Sequence, residues 1–229
     1  MTNVGPGRPR LTARRRPGGT ARAEILDAAA ELFTTRGFAA TSTRHIAEAV
    51  GMRQASLYNH FATKDDILLS LLEGTITPAL RFADQLATVD APAPTKLYAL
   101  AYLDSEQLIS ERWNLGALYL LPELRSDRFS AFRTDRELLR DHYRSLAREC
   151  VDSDNQLSDL PFRLVESVIA ARADQTELPE ADIIASAAVR VLGLADSLAD
   201  ARSNAADLIR ETGNASHTTQ TPAAQPSTQ

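Results

Sequence analysis

The segment RQASLYNHF, residues 53 to 61, holds side chains whose chemistry suits the edges of DNA bases. The guanidinium of Arg53 can bond guanine bidentately, and the amide of Gln54 can do the same with adenine. Ala55 is small enough to meet a thymine methyl group, and Ser56 completes this polar run. If a helix carried these four residues as its leading edge in a major groove, they would approach the base edges.

Other polar side chains in and beside this segment suit the phosphate backbone of DNA. Tyr58 and His60 would donate to phosphates, as would Lys64 at the start of the next helix, whose N-terminal amides also favour an anion. Thr43 and Arg44 open the preceding helix and are placed for phosphates across the groove. On this interpretation the segment is polar because it faces DNA. The alternative is that Tyr58 and His60 pack beneath the helical layer.

Short helices must position these residues. An apolar pattern with helical period runs from Ala21 to Gly37, and a second follows the Thr41-Ser42-Thr43 caps and ends at Gly51. Two short helices joined by a tight turn with a glycine are typical of the helix-turn-helix motif. Leu57 and Phe61 would hold the reading helix to its domain, and Thr63 with Asp66 predicts a capping box for the next helix.

Composition and charge limit the function classes. The chain has 229 residues, 44% of them hydrophobic and 24% charged, with a net charge of −5, as expected for a soluble globular protein. The single cysteine, Cys150, excludes an intramolecular disulfide and fits a reducing cytoplasm. No run of residues reaches the length of a membrane span. Ten basic and four acidic residues lie between Met1 and Lys64, so the rest of the chain carries −11. This split predicts a basic end that meets a polyanion and an acidic body that does not.

Residues 21 to 72 resemble the N-terminal domain of the TetR family, the tetracycline-repressor-like regulators. The resemblance is carried by ILDAAAELF, Gly37-Phe38, ATSTRHIAEAVG, LYNHF and Lys64. It implies an all-helical homodimer that usually represses transcription and is released by a small ligand. DNA-contacting positions are implied for Thr43, Arg44, Gln54, Ala55, Tyr58, His60 and Lys64.

Arg53 departs from the pattern of the family, since many members have a serine there that caps the reading helix. Losing that cap could cost about 1 kcal/mol. We interpret Arg53 as a DNA contact, with a solvated arginine as the alternative.

The sequence therefore predicts an all-α fold in which a helix-turn-helix DNA-binding domain of three helices precedes a helical ligand-binding and dimerisation domain. The expected ranges are a disordered basic arm at 1–20, the DNA-binding domain at 21–66, the helical body at 67–211 and a disordered tail at 212–229. The body is expected to form helices near 95–111, 113–121, 126–151, 159–173 and 180–200.

The last two of these helices are strongly apolar and suit a homodimer contact, as the resemblance also implies. Two-fold symmetry would then require a palindromic operator. Ordinary core packing is the alternative.

The basic arm contains GRPR at residues 7–10 and RRR at 14–16. Arginines of this kind can enter a narrow minor groove beside the reading helix. The alternative is a tail that adds only non-specific attraction to phosphates.

Candidate ligand-binding residues lie in the middle of the chain, where aromatic residues collect. Arg136 falls inside the apolar stripe of the helix near 126–151, so it needs an anionic partner. That partner could be Asp104, or a carboxylate or phosphate on a ligand. The candidate pocket residues are Tyr102, Asp104, Trp113, Phe132, Arg136 and Tyr143.

No catalytic constellation, phosphate-binding loop or metal-ligand spacing occurs in the sequence, so neither an enzyme nor a cofactor is expected. The predicted function is that of a cytoplasmic repressor released from a palindromic operator by a small-molecule effector. The alternative is an architectural or protein-regulated DNA-binding member of the family without a small ligand. Activation in place of repression also stays open.

Overall fold

The computed structural model describes residues 16–17, 19–151 and 156–218, and the fold within these ranges is helical without strands. The chain divides into two compact units, one ending at Leu71 and the other starting at Leu72. The division falls within one continuous helix, a few residues after the boundary expected from sequence. None of the helices in the described ranges is both long and apolar enough to cross a bilayer.

The first unit contains α1 (Ala21–Arg36), α2 (Thr43–Val50), α3 (Gln54–Tyr58) and the first turns of α4 (Lys64–Thr88). Gly37 and Gly51 end α1 and α2 with φ angles of 88° and 73°, which suit glycine. Thr63 and Asp66 form the predicted capping box at α4, with N···O distances of 3.1 and 2.9 Å. Local sequence signals thus begin and end these helices.

The core of the first unit consists of apolar residues that recur with the helical period in the sequence. Ile46, Ala47 and Val50 of α2 are buried, as is Leu57 of α3. Ala47 allows close approach where the helices cross. These contacts stabilise α3, which is too short to be stable in isolation.

The second unit contains the rest of α4 together with α5 (Ala93–Ser110), α6 (Ser130–Val151), α7 (Leu160–Ala173), α8 (Ala181–Arg190) and α9 (Leu198–Thr218). Three 3₁₀ segments connect α5 to α6: Leu115–Leu120, Pro122–Arg125 and Asp127–Phe129. Helices α5, α6 and α7 therefore fall close to their predicted ranges.

Three predictions about the second unit are wrong. The α-helix expected near 113–121 is replaced by the 3₁₀ segments, because Pro122 restricts the backbone and Gly116 approaches α7 closely. The helix expected over 180–200 ends near Arg190, where Gly193 turns the chain with a φ of 83°. Residues 212–218 of the expected tail continue α9, since propagation of an existing helix costs little. Residues 219–229 lie outside the described part.

Pro78 lies inside α4 and removes one backbone donor from that helix. The carbonyl of Gly74, four residues earlier, consequently lacks its usual N–H partner. The side chain of Gln107 compensates, since its Nε2 lies 3.1 Å from the Gly74 carbonyl oxygen and 3.2 Å from that of Thr75. An interaction from α5 thus supports α4 at its proline.

Candidate nucleic-acid interface and candidate ligand site

Helix α3 separates polar from apolar residues as the sequence predicts. Arg53, Gln54, Ala55 and Ser56 are exposed, whereas Leu57 is fully buried. Arg53 occupies the N-cap position and makes no side-chain cap hydrogen bond, so the expected loss of a cap is confirmed. The helix therefore presents an exposed polar edge at its N-terminus.

A set of hydrogen bonds joins α3 to the start of α2. The Gln54 Nε2 donates to Thr43 Oγ1 at 2.9 Å and lies 3.4 Å from Tyr58 Oη. The two hydroxyls of Thr43 and Tyr58 are 3.1 Å apart. Tyr58 is 48% exposed and His60 is exposed, so the alternative in which both pack beneath the helical layer is wrong. These bonds preorganise three candidate DNA contacts on one surface.

Lys64 has a structural role in addition to its predicted one. Its Nζ donates to the carbonyl oxygens of Phe38 and Thr41, both at 2.9 Å, and lies 4.1 Å from the centroid of the Phe38 ring. A depression of about 510 Å³ lies beside it, lined by Ser42, Thr43, Tyr58, Thr63, Lys64 and their neighbours. Helices α2 and α4 both begin at this depression, so their N-terminal amides and the hydroxyls suit an oxyanion.

Two further side chains of the first unit are engaged within the protein. Arg44 forms an exposed ion pair with Glu48 at 2.9 Å. His45 completes a capping box at the start of α2, where its Nδ1 accepts from Ser42 N at 3.3 Å. A phosphate would have to compete with Glu48 for Arg44, whereas His45 shapes the start of α2.

Arg16 precedes α1, but its side chain is bonded to that helix, which corrects the prediction of a disordered segment up to residue 20. Its guanidinium lies 2.8 Å from the Asp27 carboxylate and 2.6 Å from that of Glu31, and its Nε donates to the carbonyl of Ala49. The two acidic residues are one helical turn apart, and both face the guanidinium. The remaining arginines of the predicted arm lie outside the described residues.

In the second unit, the predicted pair between Arg136 and Asp104 does not form. Arg136 instead pairs with Glu166 of α7. Asp104 is buried and accepts a hydrogen bond from Tyr143 Oη at 3.0 Å. Burial raises the pKa of Asp104 to about 7, and the negative charge of Glu166 adds to this effect. The sequence missed Glu166, whose only signal is that it interrupts the apolar pattern of α7.

The surroundings of Arg136 bring several predicted pocket residues together. Its guanidinium carbon lies 5.3 Å from the Tyr119 ring centroid and 5.6 Å from that of Phe162. The rings of Tyr119 and Phe132 are 5.5 Å apart, as are those of Tyr143 and Phe162. The structure therefore groups Asp104, Phe132, Arg136 and Tyr143 in one polar and aromatic cluster. The sequence missed the role of Tyr119 here.

Tyr102 and Trp113 are not part of this cluster. Tyr102 stacks on Tyr98 at a centroid distance of 6.5 Å, beside a different cavity, of about 790 Å³, lined by α5, α8 and α9. Trp113 lies under the guanidinium of Arg112, at 4.8 Å. Both residues are half-buried, but neither faces Arg136.

The remaining arginines of α6 mostly form a paired surface, as their spacing predicts. Arg144 pairs with Glu137 and Asp141 at 2.9 and 2.8 Å. Asp159 accepts bonds from Arg140, Arg144 and Arg163, and hydrogen bonding to Arg140 lowers the pKa of Asp159 to about 2. This network stabilises the start of α7 beside α6.

Comparisons with known proteins place this arrangement among bacterial regulators. Residues 25–71 match the family described as "Bacterial regulatory proteins, tetR family". The crystal structure of Mycobacterium smegmatis AmtR is 53% identical, with a TM-score of 0.81, and the match covers 86% of this chain and 98% of that one. The HTH-type transcriptional repressor KstR2 of Mycobacterium tuberculosis is 45% identical over 53 residues, 23% of this chain. That match spans only 26% of KstR2. The fatty acid metabolism regulator protein of Bacillus subtilis is 26% identical over 156 residues, covering 67% of this chain and 79% of that protein.

Proposed function

The chain belongs to the TetR family of bacterial regulatory proteins, and on that basis we propose that it represses transcription from a palindromic operator. It is a DNA-binding regulator and not an enzyme. The observation that carries the proposal is the exposed edge of α3, from Arg53 to Ser56, held in place by the buried Leu57. Gln54 and Arg53 would bond base edges, and Ala55 would meet a thymine methyl. The protein would act in the cytoplasm, where its operator lies.

Phosphate contacts would orient α3 in the groove. The hydroxyls of Thr43 and Tyr58 are both exposed to solvent in part and already share a hydrogen-bonded surface with Gln54. Lys64 lies at the depression where α2 and α4 begin, so one phosphate there would meet a cation and helix N-termini together. His60 and Arg44 would contribute at the edges of this surface.

A second copy of the chain would complete the repressor through α7 and α8. Ile183 exposes 57% of its surface on α8, although most other residues of that helix are buried. Leu164 of α7 is also incompletely buried, and the small Ala187 would permit close helix approach. An isologous dimer buries such apolar residues and presents two copies of α3 with two-fold symmetry. Half-sites would then be about one helical turn of DNA apart.

Effector binding would act through α4, because this helix is continuous from the first unit into the second. In the second unit, Thr75 Oγ1 of α4 lies 2.6 Å from Tyr119 Oη, and Gln107 supports the carbonyls before Pro78. A ligand that displaces Tyr119 would therefore break the hydrogen bond between Tyr119 and Thr75 of α4. If the ligand prefers a conformation that fits the operator poorly, it shifts the population away from DNA.

The test is selection of bound fragments from sheared genomic DNA by the purified protein at about 150 mM salt, where screening reduces non-specific attraction. Footprinting of the selected fragments should show a palindrome. Binding that is sensitive to salt but blind to sequence would contradict the proposal.

A further inference from the structure

A cavity of about 400 Å³ lies in the second unit between α6 and the 3₁₀ segments that precede it. Phe132, Arg133 and Arg136 of α6 form one wall, and Tyr119, Leu121 and Leu124 belong to the other. This volume falls within the range of small-molecule sites in proteins. Tyr119 also forms a hydrogen bond with Thr75 of α4. A molecule in this cavity would therefore contact a residue that is bonded directly to α4.

The charged groups of the cavity favour an anion. Arg125, Arg133 and Arg136 line it together with one acid, Glu137, whose carboxylate already pairs with Arg144 at 2.9 Å. Arg133 donates to the backbone carbonyls of Leu124 and Ser126, so it anchors the wall of the cavity. Arg125 is exposed and forms no ion pair with any residue in the described ranges.

Arg136 retains unused hydrogen-bonding capacity. Its Nη2 pairs with Glu166, whereas its Nε is buried without a partner in the described part of the chain. A buried donor without an acceptor costs free energy, and binding of an anion that realigns the guanidinium would recover it. Arginine binds a carboxylate through two parallel N–H···O bonds when its fork is free to align.

The mouth of the cavity is apolar. Leu120 is 90% exposed there, an unusual position for a leucine, and Leu121 lies beside it. The ring of Phe132 continues this apolar surface into the cavity, where it packs near Tyr119. A ligand with an apolar body would cover the exposed leucine and remove its surface from water.

We propose that this cavity binds the effector, and that the effector is an organic carboxylate with an apolar body. Arg125 and Arg136 hold the carboxylate, and Leu120, Leu121 and Phe132 cover the body. The inference rests on the proposed function, because it names the ligand class of a repressor released by a small molecule.

The test uses isothermal titration calorimetry of the full chain with three probes of equal chain length. Octanoate carries the carboxylate, 1-octanol is neutral, and octylammonium carries the opposite charge. Octanoate should bind about tenfold more tightly than octanol, since bonds to a charged group are lost with the alcohol. Octylammonium should bind most weakly. Equal binding of octanoate and octanol would overturn the assignment of an anion site.

Variants locate the site. Arg125→Ala should weaken octanoate binding about tenfold, whereas Arg81→Ala, which removes an exposed arginine elsewhere, should leave it unchanged. Arg136→Ala removes one of the two ion-pair partners of Glu166, the other being Arg163, and is expected to destabilise the fold. The double change Arg136→Gln with Glu166→Gln therefore replaces the ion pair by a neutral hydrogen-bonded pair. This double variant should also lose about tenfold in octanoate affinity. Unaltered affinity in both site variants would place the ligand elsewhere and overturn the proposal.

Operator binding is measured separately, without ligand, on the same protein. A protein that binds its operator but does not distinguish octanoate from octanol overturns the ligand assignment alone. A protein that binds octanoate selectively but binds no operator overturns the proposed repressor function alone. Selective octanoate binding together with release from the operator supports both.

Discussion

The surface of α3 and the cluster around Arg136 use similar side chains for opposite purposes. At α3, Arg53 and Gln54 are exposed, so their polar groups are hydrated and remain available to DNA. In the cluster, Arg136 and Asp104 lie among aromatic rings, and each relies on an internal partner. Exposed polar groups contribute little to stability, whereas buried ones without partners are costly. Substitution should therefore reduce DNA affinity in the first region and stability in the second.

The largest effect is expected from Arg136→Ala, which leaves Glu166 paired only with the more exposed Arg163. The free energy of unfolding should fall by about 2 kcal/mol, less than for a fully buried pair because both side chains are partly exposed. Urea denaturation followed by circular dichroism measures this change, with Arg81→Ala as the control. A loss no greater than that of the control would show that the pair is not needed for stability.

The converse effect is expected from Gln54→Ala. Loss of its bonds to a base should reduce affinity for the operator by about 1 to 2 kcal/mol, roughly tenfold. Its stability should remain close to that of the parent, because the side chain is exposed and its bonds to Thr43 and Tyr58 lie at the surface. Fluorescence anisotropy on the operator and denaturation of the same sample separate the two quantities. Marked destabilisation with unchanged operator affinity would show that Gln54 serves stability and not DNA binding, contrary to the expected difference between the two regions.

The buried carboxyl of Asp104 predicts a pH dependence that the α3 surface lacks. Its pKa rises from an ordinary 3.8 to about 7 in the folded protein, so the folded state binds the proton more tightly than the unfolded state. Stability from this group is complete below about pH 4 and is lost as the pH rises through 7, with a slope of about 1 kcal/mol per pH unit. Denaturation between pH 5 and 7 should show this slope in the parent and not in Asp104→Asn. Parallel plots of unfolding free energy against pH for the two proteins would contradict the assignment of this pH dependence to Asp104.

The smallest effect is expected from a substitution at the N-cap of α3, where one residue affects both stability and DNA affinity. Arg53→Ser should supply the missing N-cap and raise the free energy of unfolding by about 1 kcal/mol. It should also weaken operator binding, because the guanidinium that would bond guanine is removed. Stability and anisotropy measurements on one variant thus test both roles of this position. A serine that stabilises without weakening binding would identify Arg53 as a solvated side chain.

Much of the first unit could be predicted because its determinants are close in sequence. Leu57, Phe61 and the Thr63–Asp66 capping box lie within a few residues of the groups that they position. Helical periodicity and caps act over three or four residues, so the pattern alone selects the buried and exposed faces. The departure at Arg53 could be recognised for the same reason.

The second unit shows where such reasoning fails. Arg136 needed an anion, but choosing Glu166 over Asp104 depended on how α7 packs against α6, and the two residues are 30 positions apart. Thr75 and Tyr119, 44 positions apart, meet for a similar reason. Pro122 and Gly193 changed two predicted helices because turns depend on the packing of the elements that they join.

The sequence by itself determined the helical class, the helix-turn-helix and the polar edge of α3, because each depends on local spacing and on capping interactions. Only the tertiary structure decided that Arg16 is tied to α1, that Arg136 pairs with Glu166 and that Tyr119 links a cavity to α4. Those contacts join residues that the chain separates, and burial then requires each polar group to find a partner.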